Sequence, residues 1–259
     1  MIPRRILTVL LAVPAVISAT AAHSAAPARP AASDPEGQAL AADLRAARPD
    51  EGIEVEGLFK IRDGDGKRTQ VPFRYRFVPG ETEWKNIYET RAGPGGPAEE
   101  LVVIHAGDRP TRYLYRRSRP GASPDANVRE ELSGDQAMVP LAGSDFWLAD
   151  LGLEFLHWPE QRIVRESRIR MRKGRPCKVL ESVRPAPGAS GYVRVRSWID
   201  AETGQPILAE AYGRDNKLLK EFEIGSLTKV NGKWELKNLE MRNAVTDSKT
   251  VLEFRYEQN

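Results

Sequence analysis

The sequence predicts a mainly β protein built from consecutive antiparallel hairpins. Apolar and polar residues alternate in the strand that carries Phe73, Tyr75 and Phe77 on one face and Arg74 and Arg76 on the other. Such alternation is typical of a strand with one buried and one wet face. Turn residues recur after about 8 to 15 positions, and helical interruptions are almost absent from the C-terminal half, which favours hairpins over a parallel sheet.

The first 21 residues have the organisation of a secretory signal. Arg4 and Arg5 form a positive start, residues 6–17 are almost wholly apolar, and small residues lead up to Ala21. We expect cleavage after Ala21 or, as the alternative, after Ala26. An apolar run of about 12 residues is too short to span a bilayer, which needs roughly 20, so no integral membrane segment is predicted.

The remainder divides into an Ala- and Pro-rich tether, residues 22–33, and a domain, residues 34–259. The tether has no apolar pattern with which to pack. We expect one large β domain, with two small domains as the alternative. Cys177 is the only cysteine, so disulfides within the chain cannot support the core, and we expect a buried, inert thiol.

The charge distribution does not favour a nucleic-acid partner. Loss of Arg4 and Arg5 with the signal lowers the formal charge from +3 to +1, and both signs are interspersed along the chain. We therefore expect no nucleic acid to bind.

The domain begins with a helix, which the sequence predicts over residues 35–47. Asp34 or Ser33 can cap it, Pro35 suits its first position, and Pro49 ends it. The first hairpin follows, with a strand from Ile53 and a tight turn at residues 63–66, where glycine permits positive φ.

Further strands are predicted along the rest of the chain, and we expect a sheet of about 11 strands. Glu99, Glu100, Glu130 and Glu131 fall in polar stretches, which we interpret as loops with solvated side chains. The further strands lie at residues 82–89, 101–106, 111–117, 161–172, 176–184, 192–199, 206–213, 217–224, 233–242 and 250–257.

One segment departs from the strand pattern. Residues 143–152 read Gly-Ser-Asp-Phe-Trp-Leu-Ala-Asp-Leu-Gly, with a capping side chain at the start, an apolar helical face and glycine at the end. Phe155, Leu156 and Trp158 extend it into the densest aromatic stretch of the chain. We predict a short helix and loop across the sheet, which either plug an ordinary core or cover a cavity.

Residues 143–151 resemble the Gly-[Thr/Ser]-Asp-Phe-x-x-x-Asp-Leu stretch of the LolA-like outer-membrane lipoprotein-sorting proteins. Trp198-Ile199-Asp200, with Pro206 behind it, is similar to the next strand and turn of that family, and its following hairpin resembles Tyr212, Asn216-Lys217 and Lys220. The final strands resemble Asn231-Gly232-Lys233-Trp234 with Met241 and Thr250, and the resemblance covers about residues 101–257 in order. It implies an unclosed antiparallel β half-barrel in the periplasm, with an N-terminal helix and a short helical lid over an apolar concave side.

No coherent catalytic or metal site is evident in the sequence. His105 and His157 lack partners at zinc-ligand spacing, the acidic run at 63–66 lacks the further ligands of a calcium loop, and Ser144 is not in a nucleophile elbow. We expect structural histidines, no cofactor, no metal and no enzymatic activity. An exported hydrolase whose carboxylates meet only in three dimensions is the less favoured alternative.

The resemblance implies a periplasmic carrier or binder of a hydrophobic ligand, namely lipoprotein or lipid acyl chains, acting as a monomer with envelope transport proteins. The alternative is a non-catalytic envelope sensor or protein-interaction module on the same fold. The residues predicted to meet the ligand are apolar or aromatic: Phe73, Tyr75, Phe77, Phe146, Trp147, Leu151, Phe155 and Trp158.

Overall fold

A computed structural model describes six stretches of the chain. The predicted signal and tether lie outside them. The compact unit to which the described residues belong extends over residues 32–259. No helix in this described part is both long and apolar enough to cross a membrane. The described residues are 34–91, 97–118, 128–165, 170–184, 191–230 and 232–256.

The described residues contain fourteen strands in a single sheet. They are β1 (Ile53–Arg62), β2 (Arg68–Val78), β3 (Trp84–Thr90), β4 (Ala98–Ala106), β5 (Arg109–Ser118), β6 (Glu130–Leu132), β7 (Glu160–Ile163), β8 (Arg170–Arg172), β9 (Arg175–Val183), β10 (Arg194–Asp200), β11 (Pro206–Tyr212), β12 (Leu218–Val230), β13 (Lys233–Asn243) and β14 (Ser248–Arg255).

The sheet is antiparallel and unclosed, as predicted. Its order is β6-β5-β4-β3-β2-β1-β14-β13-β12-β11-β10-β9-β7, with β8 paired to β9 off this path. Nearly all neighbours are consecutive in the chain. The exception in the middle is the pairing of β1 with β14, which joins the N-terminal and C-terminal hairpins into one surface. The predicted mainly β fold, an unclosed antiparallel sheet with few helices, is therefore confirmed.

The expected number of about 11 strands is too low. Residues 161–172 do not form one strand, because β7 and β8 each pair separately with β9. The short strand β6 was also not predicted, and its three residues pair with Tyr113 to Tyr115 of β5. A strand this short carries no readable alternation, so only its partner strand defines it.

The interpretation of Glu99 and Glu100 as solvated loop residues is wrong. Both lie in β4 and are buried, at 4% and 5% exposure. Glu99 faces Arg117 at 3.4 Å, and Glu100 is held by Arg116 at 2.6 Å and by Arg129. A carboxylate can be buried when cationic and N–H partners replace its water shell, and polarity alone does not reveal such partners.

The helix α1 (Pro35–Ala46) packs on the sheet near one edge. The Asp34 carboxylate caps it by accepting the Glu36 N–H at 3.2 Å, and it also accepts the Ile163 N–H of β7 at 2.8 Å. Ala41 is fully buried in a cluster with Leu180 and Ile199. The cap thus fixes both the start of the helix and its position on the sheet.

Residues 143–158, named the lid segment from here on, cross the same face of the sheet. They contain the helix α2 (Leu148–Leu151) and a 3-10 helix, Glu154–His157. Leu153 between the two helices has φ of 50°, a left-handed conformation that is strained for a leucine. The predicted short helix and loop are confirmed.

Candidate functional site

The lid segment is fixed to the sheet by a buried polar network at its start. The Asp145 carboxylate accepts hydrogen bonds from the hydroxyls of Ser248 and Thr250 in β14, the latter at 2.8 Å. The Asp145 N–H donates to the Thr250 Oγ1 at 3.0 Å. The Ala142 N–H, just before the segment, donates to the buried Glu99 carboxylate at 2.7 Å. These bonds attach one end of the segment to two separate parts of the sheet.

Lys220 of β12 forms the second attachment. Its side chain is buried, and its Nζ donates to the Asp145 carbonyl at 2.7 Å and to the Asp150 Oδ2 at 3.2 Å. The same ammonium lies 3.5 Å from the centroid of the Trp147 ring, a cation–π contact. Burial lowers the pKa of Lys220, while the nearby Asp150 carboxylate opposes this shift. The lysine therefore joins the sheet to α2 by charge.

Asp150 also organises the start of α2. Its carboxylate accepts a hydrogen bond from the Trp147 N–H at 2.8 Å and thereby satisfies a backbone donor at the helix start. The same carboxylate also pairs with Lys220. Trp147 in turn stacks on Tyr192, with ring centroids 4.7 Å apart. Lys220, Asp150, Trp147 and Tyr192 thus form one interlocked group, named the latch from here on.

A small apolar cavity lies between the latch and the sheet. Its sheet side consists of cross-strand neighbours on β10 to β13, including the small side chains of Ala209 and Ala211. Its free volume is about 20 Å³, which is close to the space that one water molecule needs. The cavity is lined by Asp150, Leu153, Phe155, Tyr192, Val195, Ala209, Ala211, Lys220, Phe222 and Met241.

Part of the interior beside this cavity is filled by the protein's own aromatic side chains. Phe146 of the lid segment is fully buried and makes edge contacts with Phe59 and Phe222, with ring centroids 6.4 and 6.3 Å apart. Phe59 lies 4.9 Å from Phe73. The small cavity that the described residues enclose beneath the lid segment, about 20 Å³, does not accommodate an acyl chain in this arrangement.

The eight residues predicted to meet a ligand occupy several environments. Phe73 and Phe146 are in the main core cluster with Leu151, and the half-buried Tyr75 packs against that cluster. Trp158 belongs to a second cluster, against which Trp147 and Phe155 pack. Phe77 is buried in β2. Phe155 lines the small cavity, and Leu151 lines a second, neighbouring cavity.

A second cavity lies between α1, the 3-10 helix and β3–β4, with a free volume of about 90 Å³. His105 and His157, far apart in sequence, both line it. The His105 Nε2 is 3.1 Å from the Asn86 Nδ2, and its ring stacks on Trp84. Burial lowers the pKa of each histidine to about 4. The nearby His157 lowers the pKa of His105 further, and the positive charge of Arg45 does the same for His157.

Sequence patterns identified Trp147 of the latch and Phe155 and Leu151 of the cavities, but not the polar partners that join them. Lys220 is one residue of a hairpin that resembles the family, with nothing to mark its role, and Tyr192 follows a Gly-rich stretch. A weak signal existed for Lys220, since it lies two residues before Phe222 on the face that alternation predicts to be buried. Within the residues described, no three histidine, cysteine or acidic side chains form a metal-binding group. Cys177 is buried, as predicted.

Comparison with known proteins identifies a family and a fold. A family model described as "Uncharacterized protein" matches residues 123–258, just over half of the chain. Comparison with curated proteins gives no match.

Three solved structures share the fold at low sequence identity. A DUF1329 family protein from Desulfovibrio piger has 16% identity and a TM-score of 0.65, over 85% of this chain and 90% of the other. A domain assigned to outer membrane lipoprotein sorting from Vibrio parahaemolyticus has 18% identity and a TM-score of 0.66, over 85% and 91%. A LolA superfamily protein from Nitrosomonas europaea has 15% identity and a TM-score of 0.59, over 86% and 93%.

Proposed function

Because this chain belongs to the family matched over residues 123–258 and has the fold of LolA superfamily proteins, we propose that it binds a hydrophobic ligand in the periplasm. The ligand class is the acyl chain of a lipid or lipoprotein, and the role is carriage in outer-membrane lipoprotein sorting. Such a role requires no catalytic group. Export by the signal in residues 1–21 and a mature domain at 34–259 are part of the proposal.

The observation that carries the proposal is the apolar cavity between the latch and strands β10–β13. Its sheet side presents two alanines, Ala209 and Ala211, where larger apolar side chains would fill the space. The lid above it is attached by polar contacts, such as the Lys220–Asp150 pair, and by buried apolar side chains, among them Phe146 and Leu151. The proposal requires this interface to separate while the sheet stays folded.

Binding requires the lid segment to move away from the sheet, since the closed cavity holds about one water molecule. The strained Leu153 between α2 and the 3-10 helix is a suitable hinge. Ten to twelve methylene groups would contribute about 8 to 10 kcal/mol of transfer free energy, at roughly 0.8 kcal/mol each. That is enough to offset the loss of several contacts in the latch.

The test combines native ligand identification with a variant that fills the cavity. Lipids extracted from purified protein are identified by mass spectrometry, and uptake is measured with a fluorescent acyl probe. Ala211→Leu adds side-chain volume in the cavity and should weaken probe binding by about fivefold or more. Ala201→Leu, in an exposed turn of the same sheet, is the matched control and should bind like the wild type.

Two results would count against acyl binding. One is the absence of both extracted lipid and probe uptake in the wild type. The other is equal probe affinity for Ala211→Leu and Ala201→Leu when urea unfolding confirms that both are folded.

A second candidate is a non-catalytic envelope sensor or interaction module on the same fold. The observation that favours it is the closed interior, in which Phe146 is fully buried among aromatic rings. Such a module would need no lid movement. Cross-linking the lid at position 153 to the sheet would abolish acyl uptake by a carrier, whereas an interaction module would keep its partner.

A further inference from the structure

β12 and β13 continue past both of their neighbouring strands as a two-stranded ribbon, formed by residues 224–230 and 233–237. β11 pairs with β12 only as far as Glu223, and β14 pairs with β13 only from Asn238. The ribbon's own pairing continues from Ile224–Leu239 to Val230–Lys233. At roughly 3.3 Å per residue the ribbon projects about 20 Å beyond its neighbours.

The ribbon exposes large apolar side chains near its tip. Trp234 is 69% exposed and Leu227 is 54% exposed. Leu227 pairs with Leu236, and the next pair on the same face is Lys229 with Trp234, because side chains two residues apart in a strand point to the same side. Leu236 packs partly buried against the main core cluster. An apolar stripe therefore runs from the core to the tip, where an uncovered tryptophan indicates a binding surface.

The charge of the ribbon is positive. Its sequence contains three lysines and a single glutamate. Lys229 lies directly across from Trp234, and both Lys229 and Lys237 are exposed. Tryptophan is favoured at the headgroup level of a bilayer, and lysines nearby are attracted by anionic lipids. This combination fits a negatively charged lipid surface better than an apolar protein groove.

The ribbon is also continuous with the wall of the small cavity. Phe222 and Met241 line that cavity and are cross-strand partners. The next partners along the same two strands are Ile224 and Leu239, and the ribbon begins there. A surface held at the ribbon tip is thus connected to the cavity by two hydrogen-bonded strands.

We propose that the ribbon tip docks the protein on an anionic lipid surface, with Trp234 and Leu227 seated among the headgroups and Lys229, on the same face, meeting the lipid charge. Docking goes beyond ligand binding and does not require it, because a ribbon can hold a membrane whether or not the cavity accepts a chain. A failure of docking and a failure of acyl uptake are therefore separate results.

The test uses the chain that remains after the predicted signal, residues 22–259, and vesicles of phosphatidylglycerol with phosphatidylethanolamine. The double variant Trp234→Ser, Leu227→Ser should bind these vesicles about tenfold more weakly or worse, since apolar area no longer leaves water. Val245→Ser, which changes a 57% exposed valine outside the ribbon, is the matched control and should bind like the wild type. Urea midpoints verify that each variant is folded.

Two further measurements keep the outcome decisive. Brominated lipids should quench part of the wild-type tryptophan fluorescence, and Trp234→Phe should remove that quenching while it largely retains binding. Vesicles of pure phosphatidylcholine should bind more weakly than anionic vesicles. Absence of wild-type binding, equal binding by the folded double variant, an equal loss in Val245→Ser, or quenching that persists in Trp234→Phe would each overturn the proposal.

Discussion

Acid should weaken the packing between α1, the 3-10 helix of the lid segment and the sheet, because two neutral histidines are buried there. His105 and His157 line the same cavity, and burial lowers the pKa of each from 6.5 to about 4. Protonation would place two positive charges beside each other and beside Arg45. The Asp108 carboxylate favours the protonated form of His157, but burial outweighs it, and Asp108 already pairs with Arg45 at 3.0 Å.

The sign and size of the effect follow from proton binding. Between pH 6.5 and about 4 the unfolded chain binds more protons at these histidines than the folded chain does, so the free energy of unfolding falls as the pH falls. The contribution of the two neutral histidines to the free energy of unfolding is complete above pH 6.5 and is lost near pH 4. A shift of this size corresponds to about 3 kcal/mol for His105, at roughly 1.4 kcal/mol per pKa unit, and to less for the more exposed His157.

The assay is urea unfolding at a series of pH values from about 7.5 to about 4.5. In His105→Gln the new side chain keeps an acceptor for the Asn86 amide. Between the two ends of this pH range, the free energy of unfolding of the double variant His105→Gln, His157→Gln should fall by about 3 kcal/mol less than that of the wild type. Carboxylates elsewhere titrate in both proteins and cancel in the comparison. Parallel pH profiles for the two proteins would refute the burial argument for both histidines.

Three substitutions probe the core and the latch. Phe146→Ala should lower the free energy of unfolding by about 3 to 5 kcal/mol, measured in urea, because it empties a fully buried aromatic site. Lys220→Met should cost about 3 kcal/mol or more and change near-ultraviolet circular dichroism, because Asp150 loses its buried partner. Gly57→Ala should cost roughly 2 kcal/mol or more, since its Cβ would lie 2.4 Å from a backbone oxygen and a core ring, whereas Gly52→Ala, with 3.6 Å of space, should be nearly neutral.

Local chemistry made much of the fold predictable. The first helix begins at Pro35 after the Asp34 cap, as the sequence indicates, and the turn at residues 63–66 has Gly66 at φ of 85°. Alternation located most strands because each has one buried face. The same argument fails for β6, which has three residues, and for Glu99 and Glu100, whose burial depends on distant arginines.

The candidate site was predictable only in its aromatic part. Phe146, Trp147 and Phe155 stand out as a dense apolar run, and Phe155 lines the small cavity. The partner from the sheet, Lys220, is 70 residues from Asp150 in sequence, and no local pattern joins them. The exposed ribbon was missed because β12 extends to Val230 instead of ending near residue 224.

The antiparallel hairpins, the first helix and the position of the lid segment follow from local sequence patterns, because alternation, caps and turns depend on neighbours a few residues apart. Local patterns could not predict that the described residues leave only a small cavity beneath the lid, that Lys220 pairs with Asp150, or that His105 and His157 line one cavity. Free volume and buried charge pairs depend on how strands that are distant in sequence pack against each other. The pairing of β1 with β14 brings the two halves of the chain, and so their side chains, into one sheet.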